Sequence, residues 1–403
     1  MSSGPPIARP GHRLQLLKGS GELFPALVEA IDGAARQVRL ETYIFDVTGA
    51  GADIAVALVR AAHRGVSVKV VVDGFGSAPL TAQWQQRFAQ SGVEWRVYSP
   101  LGRLGVLWPG SWRRLHRKLC VVDGQIAFCG GINILDDFHD PNHGPLASPR
   151  FDFAVKASGP LVADAEAAMA HLWHRLQALH DIRAVQLADA LGSLRAYGRS
   201  KAAPSAAPEQ PPARAMLVLR DNLRNRTRIE RAYRRAIGRA RDDIIIANAY
   251  FVPGGKMRRA LVSAARRGVR VRLLLQGRYE YFMQYYASRP IYGALLRAGV
   301  EIHEYSPSFL HAKVAVIDGR WATVGSSNLD PLSLLLAREA NVVIDDAAFS
   351  AQLRSCLVRA IGESGRAMNP DEFRNRPLHQ RFKEGLALGL MRLGLAIQGK
   401  KYM

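Results

Sequence analysis

The chain has 403 residues, is 48% hydrophobic, and carries 55 Lys+Arg against 34 Asp+Glu, a formal net charge of +21. That apolar content supports a sizeable core in two domains or one pseudo-symmetric unit, and excludes a largely disordered chain. Cys120, Cys129 and Cys356 lack the number and spacing of a disulfide framework or a zinc site, while the positive charge points to a polyanionic partner, either nucleic acid or an anionic membrane face.

Residues 1–13 lack the apolar stretch of a signal peptide, and no run reaches the roughly 18 apolar residues of a spanning helix. Residues 20–35 are predicted helical, with Leu23, Leu27 and Ile31 on one face. Residues 38–45 alternate as a strand. A helix over 54–63 stops at Arg64-Gly65 and leads into the β-branched strand 66–73, of the kind covered on both faces. A helix (83–90) and a strand (93–98) follow. The order then returns: helical residues 232–237, strand 244–251, helical 260–262, strand 269–276, helical 295–298, strand 301–305. Arg64-Gly65 matches Arg267-Gly268 at an offset of 203 (268 − 65), and Ser99-Pro100 matches Ser306-Pro307 at 207 (306 − 99). Tandem duplication with alternating strands and helices predicts an α/β fold of two repeats, each a mostly parallel or mixed sheet flanked by helices. A Pro/Ala/Ser-rich linker at 200–214 divides an N-terminal half (1–199) from a C-terminal half (215–365), and 366–403 form a tail.

The sharpest signal occurs twice. Leu115-His116-Arg117-Lys118-Leu119-Cys120-Val121-Val122-Asp123 and Leu310-His311-Ala312-Lys313-Val314-Ala315-Val316-Ile317-Asp318 both read H-x-K-x4-D. Each runs on to a small-residue turn and an asparagine, Gly130-Gly131-Ile132-Asn133 and Gly325-Ser326-Ser327-Asn328. Residues at i and i+2 of a strand share a face, so His116 projects with Lys118 and His311 with Lys313, while Arg117 and Ala312 face elsewhere. Two imidazoles, two ammoniums and two carboxamides suit a phosphodiester. Lys118, Lys313, Asn133 and Asn328 would donate to the non-bridging oxygens. One neutral imidazole would attack phosphorus, and the other, protonated, would help expel the alkoxide. The motif residues His116, Lys118, Asp123, His311, Lys313 and Asp318 form the candidate catalytic set, with the two aspartates, at odd spacing, expected to brace nearby backbone. No Cys/His/Asp/Glu cluster has ligand spacing, so neither a metal nor another cofactor is expected, and His139 and His143 read as loop residues.

The paired motifs resemble those of the phospholipase D superfamily, over roughly residues 23–179 and 215–361. The resemblance implies a pseudo-dimer of the two halves around one shared site, and a phosphohistidine intermediate with His116 as nucleophile and His311 as acid and base. Family members often place an acid at the start of the strand after each motif, which here gives Asp152 and Glu339 the task of orienting the imidazoles. Glu41-Thr42-Tyr43-Ile44-Phe45 and Tyr250-Phe251-Val252-Pro253 further resemble bacterial cardiolipin synthases of the type without transmembrane helices. That likeness implies phosphatidyl transfer between two phosphatidylglycerol molecules with release of glycerol. It also implies a peripheral place on the cytoplasmic face of the bacterial inner membrane, with anionic phospholipid as partner. A lipid-hydrolysing phospholipase D and an HKD nuclease share the apparatus and stand as alternatives. The nuclease lacks support from a basic stripe interleaved with stacking aromatics, since only Tyr279, Tyr281, Tyr285 and Tyr286 cluster.

Two segments bear on lipid access. An apolar insertion at 101–112, absent from the second half, either meets a lipid surface or acyl chain or packs as a surface loop. In the tail, Phe382, Leu386, Leu390, Leu393 and Ile397 form a stripe at helical spacing. The segment is too short to span a bilayer, so it lies on a membrane, docks on the protein or forms a dimer interface. Lys383, Lys400 and Lys401 would add attraction to anionic headgroups.

Overall fold

The computed structural model describes residues 7–100, 113–183, 213–221, 225–279, 282–330 and 337–397. The apolar insertion at 101–112, most of the linker, and Lys400 and Lys401 therefore lie outside the described residues.

The first half begins with β1 (Arg9–Lys18), α1 (Gly19–Asp32), β2 (Gln37–Thr42), α2 (Gly51–His63), β3 (Ser67–Asp73), α3 (Ala82–Ser91) and β4 (Glu94–Tyr98). It continues through β5 (Arg114–Leu115), β6 (Lys118–Val122), β7 (Ile126–Gly130), the small hairpin β8 (His139–Asp140) and β9 (Gly144–Pro145), β10 (Phe153–Ser158) and α4 (Leu161–Arg183). The second half opens with β11 (Ala213–Arg220), α5 (Arg228–Arg239), β12 (Asp243–Asn248), α6 (Gly255–Arg266), β13 (Arg270–Gln276), α7 (Phe282–Leu296) and β14 (Glu301–Tyr305). It closes with β15 (Lys313–Ile317), β16 (Trp321–Gly325), β17 (Ala337–Asp345), α8 (Ala347–Ser364), β18 (Gly365–Ala367), α9 (Pro370–Arg374) and α10 (Leu378–Ile397).

Each half is a mixed sheet flanked by helices, and the two join in one sheet of order β18-β14-β13-β12-β15-β16-β17-β11-β1-β10-β7-β6-β2-β3-β4, with β5 on β17. Apart from the short β5–β17 contact, pairing is parallel only in β2-β3-β4 and β12-β13-β14, where helices cross over between strands. The strands around the motifs are antiparallel, so each half has the mixed form of sheet that the repeats allowed. The reason is local. Asp123-Gly124 and Asp318-Gly319 all adopt positive φ, and an Asp-Gly pair in that region turns the chain straight back as a hairpin. The same aspartates accept three backbone N–H groups each: Asp123 from Ala35, Arg36 and Gln37, Asp318 from Arg241, Asp242 and Asp243. They brace backbone, as expected, at the strand ends away from the histidines.

Alternation along the motif strands divides the core. Leu119, Val121, Cys129 and Val155 of the first half and Val314, Val316, Val324 and Val342 of the second belong to one shared cluster, completed by α4 and α8. The opposite faces bury Cys120, Val122 and Phe128 under α1 and α2, and Ala315, Ile317 and Val343 among α5, α6 and α7. The halves are thereby fastened through strands that carry the motifs on both sides. The predicted strands 38–45 and 244–251 end early, at Thr42 and Asn248. Beyond them the chain leaves the ladder to bond the asparagine turns: Ile134 N–H donates to Ile44 O at 3.1 Å and Val252 N–H to Leu329 O at 2.9 Å.

The tail helix α10 packs Ala387 and Met391 against the second-half core, while Leu378, Phe382, Leu386, Leu390 and Leu393 stay exposed. One face docks on the protein, and most of the predicted apolar stripe faces outward. No described helix is long and apolar enough to cross a membrane.

Candidate active site

The two histidines are brought together by a crossed arrangement of backbone. β5, just ahead of His116, runs parallel to the start of β17, pairing Arg338 with Leu115, and His116 N–H donates to Arg338 O at 3.0 Å. In the mirror relation, Phe151 bridges Leu310, and His311 N–H donates to Phe151 O at 3.0 Å. Each histidine is thus stapled to the segment that carries the other half's carboxylate. His116 Nδ1 lies 3.0 and 3.2 Å from the two oxygens of Glu339, and His311 Nδ1 lies 2.6 Å from Asp152 Oδ2. The carboxylates expected from sequence to orient the imidazoles do sit beside them, each reaching across from the opposite repeat.

Local side chains fix those carboxylates. Ser326 Oγ donates to Glu339 Oε2 at 2.5 Å, and Phe153 N–H donates to Asp152 Oδ1 at 2.8 Å. Gly131 occupies the place that Ser326 holds in the second repeat. A Cβ on Gly131 would come within 2.4 Å of Asp152 Oδ1, so glycine there keeps room for the shorter acid. Gly130 and Gly325 are likewise required by close approach, since a Cβ would meet Ala154 and Asn341 at 2.5 and 2.3 Å. This explains the small-residue turns physically: they let the strand after each motif approach.

Both lysines turn toward the histidine backbone. Lys118 Nζ donates to His116 O at 2.8 Å, and Lys313 Nζ donates to His311 O. Burial, reinforced by the charge of Lys313, lowers Lys118 to about 7. Burial pushes Asp152 up to about 7, against the pull of Lys313. Burial also lowers His116, with Glu339 opposing, and holds His311 well below its ordinary value, where Lys313 and Lys118 add to the effect. Burial and the neighbouring lysines consequently hold both imidazoles toward the neutral form.

His116 and His311 open on one cleft of about 320 Å³, also lined by Asn133, Asp152, Tyr43, Tyr250 and Arg150. Asn133 Oδ1 accepts from Ile44 N–H at 3.2 Å, which leaves its amide hydrogens for a ligand. Asn328 is buried at the equivalent turn and is not among the cleft-lining residues. Three neighbours escaped the sequence reading as site residues. The Tyr43 ring lies 4.9 Å from His116 and 5.3 Å from Lys118 Nζ. Arg150, held by Asp140 at 2.8 Å and by two backbone carbonyls, adds its charge near His311. Asp73 Oδ2 accepts from Leu115 N–H at 2.6 Å and so anchors the approach to His116. Tyr43 stood out only within the strand segment that carries the family resemblance, and Arg150 and Asp73 carried no motif. His139 and His143 sit in the β8–β9 hairpin, His143 bonded to Asp140 at 3.0 Å. Among the described residues no group of three or more His, Cys, Asp or Glu is placed to hold a metal ion.

Comparison with known proteins gives a coherent set. A family model described as "Cardiolipin synthase, PLD-like domain" matches residues 27–143 and 233–359. Cardiolipin synthase B of Escherichia coli (strain K12) is 40% identical over 350 residues, 87% of this chain and 80% of that protein. A probable cardiolipin synthase of Bacillus subtilis (strain 168) is 28% identical over 378 residues, 93% of this chain and 71% of that one. A crystal structure of phosphatidylserine synthase from Haemophilus influenzae shares the fold at a TM-score of 0.68 and 13% identity, covering 100% of this chain and 98% of that one.

Proposed function

The chain belongs to the cardiolipin synthase group of the phospholipase D-like family, and from that premise we propose that it joins two phosphatidylglycerol molecules into cardiolipin and releases glycerol. The observation that carries the reading is the crossed pairing: each imidazole is held at Nδ1 by an acid of the opposite half, with both rings on one cleft. Holding Nδ1 in that way leaves Nε2 for the substrate.

In this reading neutral His116 attacks phosphorus, and the bond to the glycerol oxygen breaks as His311 supplies that oxygen with a proton. The hydroxyl of a second phosphatidylglycerol then gives its proton to His311 and attacks phosphorus, and the P–N bond to His116 breaks. Asp152 suits His311 to the acid–base part. A carboxyl pushed up to about 7 and 2.6 Å from the ring makes a pair that takes up and releases one proton near neutrality. Lys118, Lys313 and Asn133 supply donors for the phosphoryl oxygens, and the arriving anion favours the charged form of Lys118. Exclusion of water from the buried site favours a lipid alcohol over hydrolysis.

Access to the lipid comes from peripheral contact with an anionic membrane, on its cytoplasmic face. The exposed leucines and Phe382 of α10, flanked by exposed Arg381 and Lys383, are the surface suited to it. The deciding experiment incubates the chain with labelled phosphatidylglycerol vesicles in chelator, and scores cardiolipin, phosphatidic acid and cleavage of added DNA together. Cardiolipin is the expected product. Phosphatidic acid in its place would make the enzyme a hydrolase, and DNA cleavage without cardiolipin would overturn the lipid assignment.

A further inference from the structure

A larger cavity than the active-site cleft lies elsewhere in the molecule. It is a groove of about 780 Å³ between α5 and the outer face of β11, β15 and β16, next to Asp318. Asp318 follows β15, whereas Lys313 begins it, so the groove sits roughly 16 Å along the strand from the motif lysine. Met216, Val218, Ile317 and Trp321 give it an apolar floor, and arginines of α5 rise along its edge.

Those arginines follow helical spacing, so Arg228, Arg231, Arg235 and Arg239 share one side of the helix and all line the groove. Arg231, Arg235 and Arg239 are exposed, and have no ion pair or side-chain hydrogen bond among the described residues. The two acids in the lining are already engaged: Asp318 by three backbone N–H groups, and Asp345 by Arg320 at 2.7 Å. Positive charge beside the floor is therefore unneutralised by the protein.

Comparison of the repeats shows that the fold does not require it. The backbone groups bonded by Asp123 and Asp318 set the local offset at 206 (241 − 35). At that offset Glu22 of α1 stands where α5 has Arg228, and Glu29 where it has Arg235. The same helix thus carries acid in one half and arginine in the other, against the same sheet positions.

We propose that this groove binds one anionic phospholipid molecule, its phosphate on the α5 arginines and its acyl chain along the floor, as a site separate from the catalytic cleft. Arginine forks match phosphate oxygens, and the volume lies in the range of small-molecule sites, roughly 300–1,000 Å³. An apolar floor gives nothing to a free phosphate. Trp321 is turned edge-on to Tyr233, at 68° and 5.8 Å, rather than standing out as a stacking platform for a nucleic-acid base.

The test titrates monomeric dihexanoyl phosphatidylglycerol into the full chain, with His116→Ala present to suppress turnover. Binding is read as the Trp321 fluorescence change, taken as the difference from the same chain carrying Trp321→Phe. A saturable change is expected. It should weaken about tenfold or more when Arg231, Arg235 and Arg239 all become Gln, and stay within about threefold when all three become Lys. Dihexanoyl phosphatidylcholine and inorganic phosphate should each bind at least about tenfold more weakly than phosphatidylglycerol. The proposal is overturned if the folded glutamine variant titrates like its parent, or if inorganic phosphate saturates the signal as tightly as the lipid. It also fails if a single-stranded oligonucleotide or an acidic peptide binds the groove more tightly than the lipid. The readout is local to Trp321 and needs no turnover, so its failure would leave the active-site reading standing.

Discussion

Replacing Asp152 by asparagine should slow turnover and raise stability together. The carboxylate is 3% exposed, with Oδ2 at 2.6 Å from His311 Nδ1 and Oδ1 accepting from Phe153 N–H. Burial raises its pKa from 3.8 to about 7. Between those values the folded chain keeps a proton that the unfolded chain has released. Stability therefore falls as pH rises through that window, and the whole deficit stands above about pH 7. At roughly 1.4 kcal/mol per tenfold, the ceiling on this deficit is about 4 kcal/mol. The hydrogen bond to His311 returns part of it, leaving about 1–2 kcal/mol. Asparagine keeps the shape and does not titrate. The variant should thus lose this pH dependence and melt about 2–4 °C above the wild type at pH 8. Its amide cannot hold the Nδ1–H tautomer of His311 as a carboxylate does, and kcat should drop by about 10²–10⁴. Calorimetric melts from pH 5 to 9, alongside phosphatidylglycerol turnover, check both arms. A variant that is no more stable at pH 8, or one that turns over within about threefold of wild type, refutes the reasoning.

Gly131→Ala should push Asp152 off His311, because its Cβ would sit 2.4 Å from Oδ1. We expect at least about a tenfold loss of kcat, with partial recovery when Gly131→Ser is joined to Asp152→Glu in imitation of Ser326 and Glu339; a purely additive double mutant would rule out the coupling. Lys313→Met removes a cation that lowers His311, so the His311 ring should titrate at higher pH in an NMR series, and an unmoved transition would clear Lys313 of that effect. Leu386→Ser, Leu390→Ser and Leu393→Ser alter exposed leucines. At about 1 kcal/mol for each half-exposed side chain, the three should weaken sedimentation with phosphatidylglycerol vesicles about 100-fold, and full retention would assign the stripe to something other than lipid.

Much of the fold was legible because its signals are local. The β-branched run Val66–Asp73, the glycine stops at Gly65 and Gly268, and the repeated H-x-K-x4-D lie within short windows, and such windows fix element type and order. The sheet's mixed direction is written in Asp123-Gly124 and Asp318-Gly319, which end the two motifs as hairpin turns. The tail illustrates a different limit. Helical spacing identified Phe382, Leu386, Leu390 and Leu393 correctly as one stripe, but Ala387 and Met391 decide which side docks, and that depends on the shape of the core they meet.

The crossed pairing lies beyond any such window. His116 and Glu339 are 223 residues apart, and His311 and Asp152 are 159 apart. Nothing in either repeat alone says that its acid serves the other's histidine. What the sequence does contain is the trace of that exchange, in a place that looks incidental. Where the acid is aspartate, the facing turn is Gly130-Gly131; where it is glutamate, the turn is Gly325-Ser326. The longer acid receives a hydroxyl donor from Ser326, and the shorter one receives the space that a side chain at Gly131 would fill. The two repeats have thus diverged in paired positions, acid length with turn residue, while the histidine–acid contact stays within 3.2 Å in both. A half on its own would hold a histidine without its acid and an acid without its histidine. Fusion of the halves through β1, β11 and the shared core is therefore what completes the candidate site as well as what holds the fold.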